Sequence, residues 1–289
     1  MLNRTEALER VRPWWTKCKP TVHYLIETEA HVYALAISAS VLLAFYPFVI
    51  AMFAICRDLL HWQGAEAGIP IALSDFFGQG QGAHGHKLLG SFISDNIQSW
   101  AIPKLSVTSM FLLFFTANGV FEPMEVALNR AWGVTQNRSY VKNQMVSLGL
   151  IFLCGGLALL SLMLTAAPLE WITLGGWFGE FLERLVFKLA AVPISILTLF
   201  LVYWLLPNRK VEPRRVMRVS VAVGLILEAC KYVNMIVSGW MEEKFHADYG
   251  VFEHSAMLLV MSALAALIVL AGAHWTANHE TADPLAEKK

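Results

Sequence analysis

Residues 219–238 read VSVAVGLILEACKYVNMIVS, an apolar run interrupted near its middle by Glu228 and Lys231. A helix rises about 1.5 Å per residue, so a stretch of this length matches the hydrocarbon core of a bilayer, about 30 Å thick. Placed three residues apart, the two charges share one helix face. At the midplane each would cost about 2.5–3.5 kcal/mol to insert, and charges kept at such depth commonly carry function.

Working outward, the composition supports a bilayer for the whole chain. Hydrophobic residues make up 56% and charged residues 15% of 289 positions, with a mean hydropathy of +0.52. A soluble domain of this size would lack the polar surface it needs. Uncharged runs extend over 32–56, 105–121, 145–169, 189–208 and 255–278, which with 219–238 make six candidate spans. The second is followed at once by Glu122, and its helix is expected to continue as a polar extension through Asn118, Glu122, Glu125 and Asn129. The expected fold is therefore all-α: a polytopic bundle of six transmembrane helices with short interfacial helices, since helical backbone satisfies its own polar groups inside lipid.

Net charge is zero, yet the basic residues are unevenly placed. Arg4, Arg10, Arg12, Lys17 and Lys19 precede the first run, and Arg130, Arg138 and Lys142 follow the second. Arg209, Lys210, Arg214, Arg215 and Arg218 follow the fourth, and Lys288 and Lys289 end the tail. The alternate loops hold far fewer, so the positive-inside rule predicts cytoplasmic N and C termini.

Residues 1–31 lack the continuous apolar core of a signal peptide. Leu8, Val11, Trp15 and Cys18 recur there at helical spacing, as in a helix lying at the cytoplasmic interface. Residues 32–280 form the membrane domain, and 281–289 a cytoplasmic tail. Amphipathic patches at 69–77 and 88–97 predict short helices lying over the membrane domain, and Trp171, Trp177 and Phe178 an interfacial hairpin. Gly155, Gly156 and Gly224 are small enough to let helices approach closely.

Several local strings, taken in order, resemble the YihY/BrkB family of bacterial inner-membrane proteins. ALAISASVLLAFYPFVIAMFA (34–54) is similar to the family's first span, and EVALNRAWG (125–133) to its short segment carried by Ala127, Leu128, Asn129 and Trp132. YWLLPNRKVEPRR (203–215) resembles the exit from its fourth span, LILEACKY (225–232) its Glu-x-x-Lys signature, and HADYGVFEHS (246–255) the entry to its last span. VLAGAHWTA (269–277) resembles that span's end, except that His274 stands where relatives usually carry Glu. The resemblance implies a bacterial inner-membrane location and favours transport or lipid handling. An old ribonuclease label on the family finds no support in the residues: no cytoplasmic loop supplies a carboxylate or His cluster, or a paired general acid and base, for RNA hydrolysis.

The candidate binding residues are Glu228, Lys231, Asn234 and Asn118. Asn234 lies three residues beyond Lys231 and extends its polar face, while Asn118 heads the polar end of the second run with Glu122 and Glu125. Glu122 and Glu125 read best as a solvated helix end, and His274 as packed in a polar interface. The expected function is a transporter-like inner-membrane protein moving a lipid or anionic solute through a polar cavity. The alternative is a non-catalytic scaffold for envelope organisation. Membrane lipids are the expected partners, a homo-oligomer is compatible with the chain, and no nucleic acid, cofactor, metal or catalytic residue is expected. His84, His86, His246, Asp248, Glu253 and His254 are metal-capable types, but their spacing fits no specific site and reads as solvated loop. Cys18, Cys56, Cys154 and Cys230 show no metal or redox spacing.

Overall fold

The computed structural model describes residues 19–61, 107–134, 138–166, 192–209 and 211–281, together with Ile69 and Asp95. All regular structure among these residues is helical. The expected interfacial elements at 8–18, 69–97 and 169–184 lie wholly or almost wholly outside the described residues.

A short helix α1 (Lys19–Glu27) meets the next at 72°. At the break Glu29 takes a left-handed backbone, φ 53°. Then follow α2 (Ala30–Ala54), which ends in a π-helical turn over Ile55–Leu59, α3 (Val107–Ala131) and α4 (Tyr140–Ala166). Helix α5 (Val192–Leu205) precedes the two longest, α6 (Pro213–Tyr249) and α7 (Glu253–Thr281). Each of the six apolar runs lies wholly or largely on one of the helices α2 to α7. Pro213 opens α6 at a position where a helix has no use for the missing N–H. Pro123 sits inside α3, which continues through it to Ala131, so the polar extension predicted for the second run is helical.

The stretch Ile236–Ala277 contains an 18-residue window of mean hydropathy 2.5 and is the part of the described residues most plainly long and apolar enough to cross a membrane. It is also about twice the length a bilayer needs. The single 3-10 turn Gly250–Phe252 divides it, with Gly250 at φ 53°, a conformation glycine adopts without steric cost. This turn folds α6 and α7 into an antiparallel hairpin and leaves residues 255–277 as its span-length part. The hairpin is tight: a Cβ at Gly272 would run into the side chains of Val223 and Val219 and the Tyr203 hydroxyl.

Helix α2 packs against α3 and α7, and α3 also against α4 and α7. Gly224 lets α6 close on α5, since a Cβ there would lie 2.9 Å from Ile196. Gly155 and Gly156 do not serve this purpose among the described residues: a Cβ at Gly155 meets only Phe48, at 3.7 Å, and one at Gly156 meets nothing. A large core cluster among the described residues gathers Ala127, Leu128 and Trp132 of the α3 end, Tyr203 and Leu206 of the α5 end, Val216 and Val219 of α6, and Leu270 and Ala273 of α7. Large apolar side chains elsewhere face outward, among them Phe111, Met145, Phe152, Leu225, Val233, Ile236 and Leu264. Exposed apolar surface on this scale marks a protein whose solvent is partly lipid or another protein.

Candidate functional site

Helix α6 carries the polar residues that the bundle does not explain by packing alone. Glu228 and Lys231 pair at 3.6 Å, with 20% and 33% of their side chains exposed. That separation is within ion-pair range and beyond a hydrogen bond. Asn234 follows, half-buried. The structure adds two residues in the same register: Ser238, 5% exposed, and Glu242, 1% exposed. Steps of three, three, four and four residues keep Glu228, Lys231, Asn234, Ser238 and Glu242 on one side of the helix. Polarity thus runs from the middle of α6 to its end at the hairpin turn.

At that turn the two helices bring carboxylates and imidazoles together. His246 Nδ1 lies 2.7 Å from Glu253 Oε2, and His254 Nδ1 lies 3.2 Å from Glu253 Oε1. On its other side the His254 ring approaches Glu242, Nε2 to Oε1, at 3.9 Å. Both Glu242 oxygens are buried and have no hydrogen-bond partner among the described residues. The solvated-loop reading is therefore corrected for Glu253, which is buried, and for His254, which is largely covered. Asp248 remains exposed, and His84 and His86 lie outside the described residues. Sequence spacing passed over Glu242 because it sits twelve positions before His254, on the far side of a turn.

The opposite end of the bundle explains the short motifs. Asn129 donates to Glu125 Oε1 at 3.4 Å and accepts from the Asn208 backbone N–H at 2.7 Å. Arg138 donates to the carbonyls of Leu205, Leu206 and Pro207 and to Asn208 Oδ1. The carbonyls left over where α5 stops are thus capped by a guanidinium from the segment before α4. Arg209 in turn donates to the Trp132 carbonyl. The Ala127–Trp132 and Pro207–Arg209 strings are two halves of one interlock. Glu125 and Asn129 are buried at 3% and 2% exposure, which corrects the reading of this region as a solvated helix end; Glu122 alone is exposed as expected.

Asn118, half-buried on α3, has a side-chain oxygen without a hydrogen-bond partner among the described residues. Helix α3 packs chiefly on α2, α4 and α7, so Asn118 belongs to a different packing neighbourhood from the Glu228–Lys231 pair on α6. His274 is buried, stacked on Tyr24 with ring centroids 3.8 Å apart and 3.4 Å from the Thr21 hydroxyl. It docks α1 onto α7, the polar interface expected of it.

A family model described as Virulence factor BrkB matches residues 22–289. A UPF0761 membrane protein of Chlorobium chlorochromatii (strain CaD3) is 29% identical over 171 residues, which cover 57% of this chain and 38% of the relative. UPF0761 membrane protein IL2447 of Idiomarina loihiensis is 24% identical over 182 residues, covering 61% of this chain and 62% of that protein. The chain thus matches less than two thirds of either relative's length. No solved structure matches. The family match, which runs over most of the chain, together with relatives that are membrane proteins, establishes that this chain belongs to the Virulence factor BrkB family and is a membrane protein.

Proposed function

We propose that this chain is a six-span protein of the bacterial inner membrane, with both termini cytoplasmic, that moves a lipid or anionic solute along the polar face of α6. The observation that carries the reading is the alignment of Glu228, Lys231, Asn234, Ser238 and Glu242 on one side of an otherwise apolar helix. A polar stripe of this kind, partly covered at Glu228, Lys231 and Asn234 and buried at Ser238 and Glu242, is costly in a membrane and is typical of substrate or ion pathways. The Lys231 ammonium attracts the anionic group, and Glu228, already within ion-pair range, competes for the ammonium and releases the cargo. At 3.6 Å the two groups are within ion-pair range but not in a short hydrogen bond to each other, which favours this exchange.

The test is to extract the wild-type protein and a Glu228→Gln, Lys231→Met double variant with their native lipids and compare the bound molecules by mass spectrometry. Loss of one anionic species from the folded variant is the expected result. Identical profiles, together with unchanged transport in vesicles, would overturn the reading and leave the pair as a helix-joining element of a scaffold.

A further inference from the structure

We propose that the α6–α7 turn is a binding site for a divalent transition-metal cation, held by Glu242, Glu253 and His254. One carboxylate oxygen of Glu242, one of Glu253 and one ring nitrogen of His254 all lie within 4.8 Å of one another. The three residues come from two helices, and the Gly250–Phe252 turn brings them face to face. Glu242 supplies an observation of its own. Its side chain is 1% exposed, it is aimed at the other two, and neither oxygen has a hydrogen-bond partner among the described residues.

Burying a carboxylate without partners is unfavourable, and a second carboxylate close by makes it worse. His254 does not remedy this by itself. Its contact with Glu242 is 3.9 Å, too long for a hydrogen bond, while its other nitrogen is already 3.2 Å from Glu253. A doubly charged cation between the three groups would neutralise both carboxylates at once. The donor set, two oxygens and one imidazole nitrogen, suits Zn2+ or Mn2+ and lacks the thiolates that would select softer ions. A small inward movement of the three side chains is needed, since Zn2+ takes such ligands at about 2.0–2.2 Å. His246, 2.7 Å from the second Glu253 oxygen, is placed to orient that carboxylate, the role that hydrogen-bonded partners of metal ligands usually play. The site shares Glu242 with the polar face of the transport reading but does not rest on it: it joins α6 to α7 whether or not anything passes along that face.

The test uses the full chain in detergent, stripped with a chelator and titrated with ZnCl2 or MnCl2, with bound metal read by elemental analysis and stability by thermal unfolding. Wild type is expected to take up about one ion per chain with a rise in Tm. Glu242→Gln and His254→Gln are expected to bind at least about tenfold more weakly, and His246→Gln to lose less than either. Glu242→Gln removes a buried charge and keeps the side-chain shape, so a folded variant is expected and its Tm without metal serves as the check. His31→Gln, on the exposed start of α2, controls for surface histidines and is expected to match wild type. Absence of a stoichiometric ion in the wild type, or equal uptake by wild type and Glu242→Gln, would overturn the proposal and leave the cluster as an imidazole-bridged pair of carboxylates.

Discussion

The two ends of the bundle treat buried polarity differently. Where α3 and α5 finish, Arg138 spreads its donors over three carbonyls and Asn208, and Asn129 joins the Asn208 backbone to Glu125. At the α6–α7 turn, two carboxylates converge on imidazoles, and both oxygens of Glu242 go without a hydrogen bond among the described residues. The first arrangement suits a structural joint, because most of its buried groups are satisfied by a charged donor or an amide, although Glu125 Oε2 and Trp132 Nε1 have no hydrogen-bond partner among the described residues. The second keeps an unmatched demand for positive charge, and such strain is more often found where something binds.

Substitutions should separate the two ends by both size and sign. The largest effect is expected for Arg138→Ala, which strands several acceptors together: a loss of about 3 kcal/mol, read as a lower Tm in detergent. A Tm equal to wild type would mean that the interlock contributes nothing to stability. Next is Gly272→Leu, which overpacks a close approach of α6 and α7 and should cost about 1–3 kcal/mol, while Gly155→Ala, whose Cβ would meet only Phe48 at ordinary contact distance, should stay within about 0.5 kcal/mol. At the other end the sign reverses. Glu242→Gln in chelator should raise stability by roughly 1 kcal/mol, because it removes an unpaired buried charge. A clear loss of Tm there would erase the contrast between the two ends. The smallest change is expected for the Glu228→Gln, Lys231→Met pair, below about 1 kcal/mol for a partly exposed ion pair, so that its effect is on bound lipid or solute rather than on unfolding.

Much of this was legible in the chain. The six apolar runs coincide with α2 to α7 because hydrophobicity and helix formation are local properties, readable over about 20 residues. The same holds for the Glu228–Lys231 pair, whose three-residue spacing determines its proximity on any helix. The family strings were readable too, although not what they do: Ala127–Trp132 and Pro207–Arg209 are separated by some 75 positions, and their interlock through Asn129 and Arg209 exists only after folding. Glu125 was misread for the same reason, since a carboxylate near a helix end looks solvated until another helix covers it.

By itself, then, the sequence determined an all-helical class with one charged helix and three residues of its polar face, Glu228, Lys231 and Asn234, since each follows from composition and from the 3.6-residue period. Only the tertiary structure decided that Glu242 meets Glu253 and His254, that Gly272 sets the closeness of the hairpin while Gly156 meets nothing, and that Arg138 caps α5. Those outcomes depend on where a turn reverses the chain and on which segments, distant in sequence, pack side by side. Neither is encoded in the spacing along a single helix.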